Sequence, residues 1–388
     1  MPRRKSTVPH AIALTIARLC PGLMLVLYAV AWLGTFPTPA SDGMSLPVQE
    51  KQSRCTRGVC LLSAAQGMVV LQRFYNAKNG LWQTTGWWNA ANVLETTIDY
   101  SMLAGTTTYH KTIANTFEKN KDSNFLNPWL YDDEGWWALT WIKAYDLTKE
   151  TRYLDMAKTI FKDMTHGWDS TCGGGIWWHK KQQYKNAIAN ELFLSIAIRL
   201  HHRTQNDRGR RSYLDWAIRE WNWFKNSGLI NEQHLINDGL STCRNNGGTV
   251  WTYNQGVILG GLVELYNSTN DSALLTEAQA IADAALRHLS QNGILQEICE
   301  PDCGDDGPQF KGIFMRNLAL LYQATHQQRY KEFIVKNADS IWMHSRNHSN
   351  QLGLSWIGPF DRADAARQSS AIDAINAALR LSPKETAN

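Results

Sequence analysis

Two adjacent carboxylates open the stretch of the sequence that is richest in reactive side chains, "YDDEGWWALTWIKAYDLT" from Tyr131 to Thr148. Asp132 and Asp133 could supply the two carboxyl groups of glycoside hydrolysis, one to protonate the leaving oxygen and one to attack the sugar or activate water. Because neighbouring Cα atoms are about 3.8 Å apart, the short carboxyl separation of a retaining enzyme, about 5–5.5 Å, is easier to reach than the wider one of an inverting enzyme. Crowding two like charges also raises one pKa, which gives an acid and a nucleophile from one residue type.

The same two residues also have a purely structural interpretation. Asp and Glu are common at helix N-termini, because they cap free backbone N–H groups and meet the positive end of the helix dipole. The pattern that follows predicts a helix from Glu134 to Tyr145, which places Asp132 and Asp133 in the loop before it. Adjacent aspartates are common, so this stretch alone does not decide between a helix start and a catalytic pair.

The composition excludes nucleic-acid binding and favours a sugar ligand. The formal charge is only +4 over 388 residues, and Arg3, Arg4 and Lys5 supply much of it. No basic stripe with a supporting motif is present, so nucleic acid is not expected as a partner. Most of the 17 tryptophans must pack in a core, where each ring buries a large area. A flat indole beside hydrogen-bonding groups also suits a sugar, with its apolar C–H face and its rim of hydroxyls.

The N-terminus has the pattern of a targeting segment. A basic start precedes an apolar run from Leu19 to Gly34, which is short for a membrane span and is followed by small-residue cleavage sites. We predict a cleaved signal peptide, with an uncleaved signal anchor as the alternative, and secretion to the cell-wall region. The polar C-terminus predicts no GPI anchor. The predicted organisation is a signal segment (residues 1–40), a linker (41–54) and one catalytic domain (55–388).

Cysteines and glycosylation motifs agree with this location. Six cysteines remain after the leader, and an even number in an oxidising compartment indicates disulfides, whose pairing the count leaves open. Sequence proximity favours two pairs, and elimination leaves the third. These pairs are Cys55–Cys60, Cys299–Cys303 and Cys172–Cys243. N-x-S/T motifs predict glycosylated surface loops at Asn267, Asn270 and Asn347.

A recurring phrase predicts a helical repeat. "YLDMAKTIF" at Tyr153 and "YLDWAIREW" at Tyr213 each open an amphipathic helix after a short polar turn, and a more apolar helix lies before the turn. The period of about 44 to 61 residues suits one helical hairpin per repeat. With a first helix from Leu61 to Asn79 and a last from Arg362 to Leu379, about twelve helices are expected. Alternating inner and outer helices would close as an all-α (α/α)6 barrel, and no polar capping repeat supports the alternative, an open solenoid.

Insertions rich in Trp and Gly lie between these repeats. They span Gly173–Trp178, Asn245–Asn254 and Asp302–Phe310. Loops at one end of such a barrel line a cleft, so we expect the binding face there. The last insertion contains "DCGDDG", but it lacks the alternating ligands and closing Glu of a calcium loop. We therefore predict neither a metal nor another cofactor.

Four segments carry a specific resemblance: "YDDEGWWALTWIKAYDLT", "GGGIWWHKKQQYKNAIANELFL", "WTYNQGVILGGLVELY" and "FKGIFMRNLALL". In this order, from about Trp87 to Leu321, they resemble family 76 glycoside hydrolases, the endo-α-1,6-mannanases. The resemblance implies an (α/α)6 barrel and a catalytic aspartate pair. It makes Asp132 the nucleophile and Asp133 the general acid/base of a retaining mechanism.

Further residues are candidates for contact with the sugar. For the aromatic residues the competing role is core packing, for the amides it is capping or interhelical hydrogen bonding, and for the lysine it is a solvated charge. The predicted substrate-binding residues are Tyr131, Trp137, Trp177, Trp178, Asn186, Asn190, Tyr253, Asn254, Gln255, Phe310 and Lys311.

The leading functional interpretation is a retaining, endo-acting α-1,6-mannan hydrolase, in which transfer of the glycosyl group to another sugar stays open. One alternative is a non-catalytic glycan-binding protein, although such a protein would be free to lose the Asp132–Asp133 pair. Another is an (α/α)6 enzyme such as an epimerase, which would need paired histidine bases at the starts of inner helices. The expected partner is an α-mannan chain, and the protein is expected to be a monomer that touches a membrane only through an uncleaved anchor.

Overall fold

The computed structural model describes residues 55–209 and 211–383. The predicted signal segment (1–40) and the whole of the predicted linker (41–54) lie outside these residues, as does the end of the chain. The described part contains twelve α-helices. These are α1 (Arg57–Gln72), α2 (Trp87–Ala104), α3 (His110–Asn120), α4 (Tyr131–Thr148), α5 (Thr151–Met164), α6 (Ala187–His201), α7 (Tyr213–Phe224), α8 (Thr252–Thr269), α9 (Ser272–His288), α10 (Phe310–Thr325), α11 (Gln328–His344) and α12 (Ala365–Leu381).

The even-numbered helices form a closed inner ring. Each packs against the next, from α2 through α4, α6, α8 and α10 to α12, and α12 returns to pack against α2. The odd-numbered helices surround the ring; for example α5 packs on α4, α7 on α6, and α1 and α11 on α12. The prediction of an all-α (α/α)6 barrel is confirmed, and the open solenoid is excluded because the ring closes.

Inner and outer helices differ in sequence because they differ in surroundings. The outer helix α5 buries Tyr153, Leu154, Ala157, Ile160 and others at the three- and four-residue spacing of one helix face. The inner helix α12 buries all of its residues except one. Glycine allows the closest contacts within the ring, since a Cβ at Gly256 of α8 would lie 2.5 Å from Cα of Phe314 in α10.

A network of buried charges joins four inner helices. Arg316 of α10 lies 3.1 Å from carboxylate oxygens of both Glu95 (α2) and Asp373 (α12). Lys143 of α4 lies 2.8 Å from Glu95 and 2.6 Å from Asp99. Each carboxylate of this network faces a cation, so the charges within the network compensate one another in the low-dielectric interior.

Three short antiparallel hairpins lie between the helices. Their strands are β1 (Tyr75–Asn76) with β2 (Leu81–Trp82), β3 (Leu240–Ser241) with β4 (Arg244–Asn245), and β5 (Ser290–Gln291) with β6 (Ile294–Leu295). Within the described ranges, none of the helices is both long and apolar enough to cross a membrane.

Three predicted helices have different boundaries in the structure, where they span Arg57–Gln72, Tyr131–Thr148 and Ala365–Leu381. The first helix ends at Gln72 rather than Asn79, because the β1–β2 pairing takes the chain out of the helix. The last begins at Ala365 rather than Arg362, where the Asp364 side chain caps it by accepting from the Arg367 N–H. Helix α4 begins at Tyr131 rather than Glu134.

Within the described residues, three disulfides join the six cysteines in the predicted pairs: Cys55–Cys60 and Cys299–Cys303, which proximity favoured, and Cys172–Cys243, which elimination left. The last of these joins the segment before α6 to the β3–β4 hairpin. Two of the glycosylation motifs begin at exposed asparagines, Asn267 in the last turn of α8 and Asn270 immediately after it. Asn347 is half-buried, and its amide donates to the side chain of Gln351 at 2.7 Å.

Candidate active site

A cleft of about 440 Å³ lies where the N-termini of five inner helices converge. Helices α2, α4, α6, α8 and α10 each contribute residues from their first turn or from the residue before it. The loops that enter these helices form its walls, as expected for the insertions between the repeats.

The aspartate pair lies in the first turn of α4, not in a loop before it. Leu130 is the N-cap residue of this helix, and its side chain makes no capping hydrogen bond. Both aspartates line the cleft. The early helix start is favourable because three acidic residues then meet the positive end of the helix dipole. The pair therefore lies at the positive end of the helix dipole and lines the cleft.

Each aspartate receives one hydrogen bond from a different loop. The indole N–H of Trp178 donates to Oδ2 of Asp132 at 3.0 Å. The side-chain amide of Asn127 donates to Oδ2 of Asp133 at 2.8 Å. The other oxygen of Asp132, Oδ1, is buried and has no hydrogen-bond partner within the described residues.

Burial and like charges hold a proton on this pair near neutral pH. Burial, and then the charge of Asp133, raises the pKa of Asp132 to about 8, against the lowering by the Trp178 N–H. Burial, and then the charge of Asp306, raises the pKa of Asp133 to about 6, against the lowering by Asn127. Between these values the pair carries one proton and one negative charge, which is the state that acid and nucleophile together require.

Aromatic rings line one wall of the cleft. Tyr253 and Phe310 stack with their ring centroids 4.1 Å apart. Phe310 is also stacked on Trp88, with centroids 6.1 Å apart, and Trp88 lies 5.6 Å from Trp136. Flat apolar faces of this kind complement the C–H face of a sugar ring.

Two further carboxylates line the same cleft, each held by an aromatic donor. The indole N–H of Trp88 donates to Asp306 at 2.7 Å, and the hydroxyl of Tyr184 donates to Asp238. A carboxylate that is fixed by one donor retains acceptor sites for hydroxyl groups. The cleft therefore combines aromatic walls with hydroxyl-binding groups.

The structure brings some of the predicted site residues together in the cleft. Asn186 lines it and also caps α6, since its side chain accepts from the Ala189 N–H at 3.2 Å. The predicted residues in the cleft are Asp132, Asp133, Trp178, Asn186, Tyr253 and Phe310.

The three other predicted aromatic residues lie outside the cleft lining. Trp137 is fully buried in the aromatic core, 5.6 Å from Trp141 between ring centroids. Tyr131 is buried, with the ammonium of Lys180 4.9 Å from its ring centroid. Trp177 donates to Asp169 at 2.9 Å instead of facing the pair. Trp137 and Tyr131 therefore pack in the core, which was the alternative to sugar binding for the aromatic residues.

The remaining predicted polar residues are buried and are not among the residues that line the cleft. Asn190 and Gln255 each bind a loop backbone with both ends of the amide, Asn190 at Ile176 and Gln255 at Ile236. Lys311 is buried, forms an ion pair with Glu300 and donates to a backbone carbonyl. Asn254 is fully buried, and neither of its side-chain polar atoms has a partner among the described residues.

Several cleft residues were not predicted. Trp88 and Trp136 could have been found, because each belongs to a tryptophan pair, and the pair Trp136–Trp137 follows the predicted helix start at Glu134. No local sequence pattern marks Asp238 or Tyr184. Asn127, which contacts Asp133 from outside the cleft lining, lies in an irregular loop and carries no such pattern either. The cleft residues that sequence reasoning missed are Gly86, Trp88, Asn89, Leu130, Trp136, Tyr184, Asp238 and Asp306. Among the described residues, no group of three His, Cys, Asp or Glu side chains could hold a metal ion.

Comparison with known proteins identifies related chains. The model of glycosyl hydrolase family 76 matches residues 63–388. The mannan endo-1,6-alpha-mannosidase DCW1 of Candida albicans is 30% identical over 306 residues, which cover 70% of this chain and 66% of that protein. The chain spans only 58–60% of the length of three further relatives.

Solved structures share the fold. An inactive α-1,6-mannanase variant from Salegentibacter, with two consecutive aspartates replaced by asparagine and α-1,6-mannotriose bound, superposes with a TM-score of 0.75. It is 23% identical, and the match covers 82% of this chain and 99% of that one. Dfg5 from Chaetomium thermophilum, in complex with glucosamine, also has a TM-score of 0.75 at 22% identity, covering 84% and 91% of the two chains.

Proposed function

Because the chain belongs to glycosyl hydrolase family 76, we propose that it is a retaining, endo-acting α-1,6-mannan hydrolase. The observation that carries the proposal is the aspartate pair, in which each carboxyl group receives one donor inside an aromatic-walled cleft. A related protein is named a mannan endo-1,6-alpha-mannosidase. A mannanase of the same fold is inactive when two consecutive aspartates are replaced.

The first step forms a covalent glycosyl-enzyme. The carboxylate of Asp132 attacks the anomeric carbon and forms an ester bond as the bond to the glycosidic oxygen breaks. The leaving oxygen takes that bond's electron pair and the proton of Asp133. The aromatic wall of Tyr253 and Phe310 holds the sugar during this displacement, because binding that positions the reacting atoms lowers the barrier.

The second step releases the sugar with its original configuration. Asp133, now ionised, accepts a proton from water while the water oxygen attacks the anomeric carbon and the ester to Asp132 breaks. Two displacements at one carbon give net retention. If the hydroxyl of another mannan chain replaces water, the same step transfers the chain to that acceptor.

The roles require the shared proton to be on Asp133, although burial raises the pKa of Asp132 further. Oδ1 of Asp132 is buried without a partner in the described structure. A substrate hydroxyl that donates to Oδ1 would stabilise the ionised form. We propose that substrate binding in this way moves the proton to Asp133.

We also propose that the mature protein acts as a secreted monomer on mannan in the cell-wall region. The basic and apolar leader pattern, the exposed sequons at Asn267 and Asn270 and the three disulfides support export. N-terminal sequencing of the secreted protein tests the leader, since a protein that begins at Met1 would be anchored rather than cleaved.

Product analysis tests the proposed reaction. The protein is incubated with unbranched α-1,6-mannan, with and without a mannose-oligomer acceptor, and the anomeric configuration of the first product is followed by NMR. We expect internal cleavage to short oligomers of α configuration. A β product would exclude retention, and the absence of any cleavage or transfer would exclude the proposed activity. Longer products with the acceptor would show transglycosylation.

A further inference from the structure

We infer that Asn127 is a positioning residue that fixes which oxygen of Asp133 delivers the proton to the glycosidic oxygen. This inference rests on the proposed function and adds a residue that lies in the loop before α4. Asn127 is outside the residues that line the cleft, so it does not need to touch the sugar. Its contact is with Asp133 alone among the pair.

The orientation of the Asn127 amide is determined by its neighbours. Its Oδ1 accepts the backbone N–H groups of Trp129 at 2.8 Å and Leu130 at 2.9 Å. An oxygen must occupy this position, because two donors point at it. The NH₂ end therefore faces Asp133, where it donates to Oδ2 at 2.8 Å.

The backbone of Asn127 is held as firmly as its side chain. Its N–H donates to Oε2 of the fully buried Glu134 at 3.0 Å. The same oxygen accepts from the ammonium of Lys180 at 2.7 Å, and that ammonium also lies 2.6 Å from Asp163. Lys180 and Trp178 belong to one further hairpin, residues 178–184, in which the Trp178 N–H donates to the Tyr184 carbonyl at 2.8 Å. Glu134 therefore anchors the donors of both aspartates.

A chemical consequence follows for the acid. An oxygen that accepts an N–H at 2.8 Å cannot also carry a proton directed at that donor. When Asp133 is protonated, the proton is therefore favoured on Oδ1, because the carbonyl-type Oδ2 is the better acceptor for the Asn127 N–H. Without Asn127, either oxygen of Asp133 could hold the proton. The arrangement that directs the proton at the glycosidic oxygen would then be only one of several.

The geometry also places Asn127 in a position to act on the second step. After the proton has left, Asp133 must act as a base toward water or an acceptor hydroxyl. At this stage Asp132 is esterified and neutral, so the negative group that faces Asp133 is Asp306. The Asn127 N–H is the side-chain donor to the ionised Asp133 within the described residues, and it opposes that repulsion.

The test compares two variants of Asn127 on two substrates. Asn127→Ser retains an oxygen that can accept the turn N–H groups but loses the donor to Asp133. Asn127→Asp also retains that oxygen and puts a second carboxylate oxygen beside Asp133. The matched control is Asn120→Asp, since Asn120 also donates through its amide but only to the backbone carbonyls of Asn79 and Thr116. The substrates are α-1,6-mannan and a dinitrophenyl glycoside of α-1,6-mannotriose.

Asn127→Ser is expected to lower kcat/KM on mannan by about 10- to 100-fold, the range for losing a hydrogen bond to a charged group. On the dinitrophenyl glycoside the loss is expected to stay under about threefold, because that leaving group needs no proton and kcat/KM reports the first step. In Asn127→Asp, the alkaline limb of the pH profile is expected to move to higher pH, because a neighbouring negative charge disfavours ionised Asp133. Asn120→Asp should match the wild type in both respects.

The outcomes separate this inference from the proposed function. Equal losses on both substrates, together with a lower melting temperature, would show that Asn127 only supports the loop, and the inference would fall. If Asn127→Ser were as active on mannan as the wild type, the inference would also be overturned. If the wild type cleaves neither substrate, the proposed function itself fails.

Discussion

The indole N–H of Trp178 donates to Oδ2 of Asp132 at 3.0 Å, across 46 positions of sequence. The hairpin that carries Trp178 is attached to the start of α4, because the N–H of Tyr131 donates to the Trp178 carbonyl at 3.0 Å. The aspartate pair is thus positioned by long-range contacts between a loop and a helix start. Trp178, which the sequence suggested as a surface for sugar stacking, is also a hydrogen-bond donor to the proposed nucleophile.

Trp178→Phe should therefore impair catalysis more than it impairs folding. The ring keeps most of its apolar area, but the ionised Asp132 loses a donor, and the shared proton moves toward Asp132. We expect kcat/KM on α-1,6-mannan to fall about 10- to 100-fold, as for other hydrogen bonds to charged groups.

Trp177→Phe is the matched control for that variant. Its indole donates to Asp169 at 2.9 Å and not to the pair, so activity should stay near that of the wild type when both variants have similar melting temperatures. Equal loss in the two variants would mean that the hairpin's packing, rather than the donor to Asp132, supports activity.

The pair should give a bell-shaped pH profile. Activity needs one proton shared between the two carboxyl groups. Below an apparent pKa of about 6 both are protonated and the nucleophile is lost. Above an apparent pKa of about 8 both are ionised and the acid is lost. We expect kcat/KM on mannan to rise through the first value and fall through the second.

The dinitrophenyl glycoside provides the comparison for this profile. Since its leaving group needs no acid, the alkaline limb should flatten while the acidic limb remains. If the alkaline limb were the same for both substrates, the group that titrates near pH 8 would not be the acid of the first step.

The arrangement of the helices could be predicted from the sequence because it depends on repeated local patterns. Outer helices such as α5 show apolar residues at helical spacing, and each begins near a tyrosine or leucine that recurs along the chain. The predicted start of α4, Glu134, lies three residues after the observed start, because the types of Tyr131, Asp132 and Asp133 are equally typical of a polar loop. Helix dipole and tertiary contacts, which a local pattern does not contain, favour the earlier start.

The site could be predicted only in part, for a related reason. The aspartate pair, Tyr253 and Phe310 stand at the starts of inner helices, where a barrel forms its cleft. Asn190 and Gln255 have the same location in the sequence, yet each binds loop backbone and does not line the cleft. The sequence does not show whether the amide of such a residue faces the cleft or a loop backbone, because that direction is set by the fold.

Removing one partner of the buried charge network should destabilise the barrel strongly. Arg316→Met would leave Glu95 and Asp373 facing each other in the interior, and we expect a loss of about 3–5 kcal/mol in the free energy of unfolding. Arg329→Met is the exposed control, because Arg329 pairs with Asp283 on the surface with 44% of its side chain exposed. There the loss should be about 0–1 kcal/mol. Denaturant unfolding measures both, and equal losses would show that the network does not support the closed ring.

The aspartate pair allows the sharpest test, because its two members should fail in different ways. Asp132→Asn should abolish turnover of every substrate while leaving mannan binding nearly intact, since no covalent intermediate can form. Asp133→Asn should be milder on the dinitrophenyl glycoside, which needs no acid in the first step. Added azide should partly restore turnover in Asp133→Asn by replacing the base-activated water, and the product should be a mannosyl azide of retained α configuration. Retained α product from azide in Asp132→Asn instead would reverse the two roles. Near-normal activity of both variants on mannan would make the pair a structural helix start and exclude the mechanism.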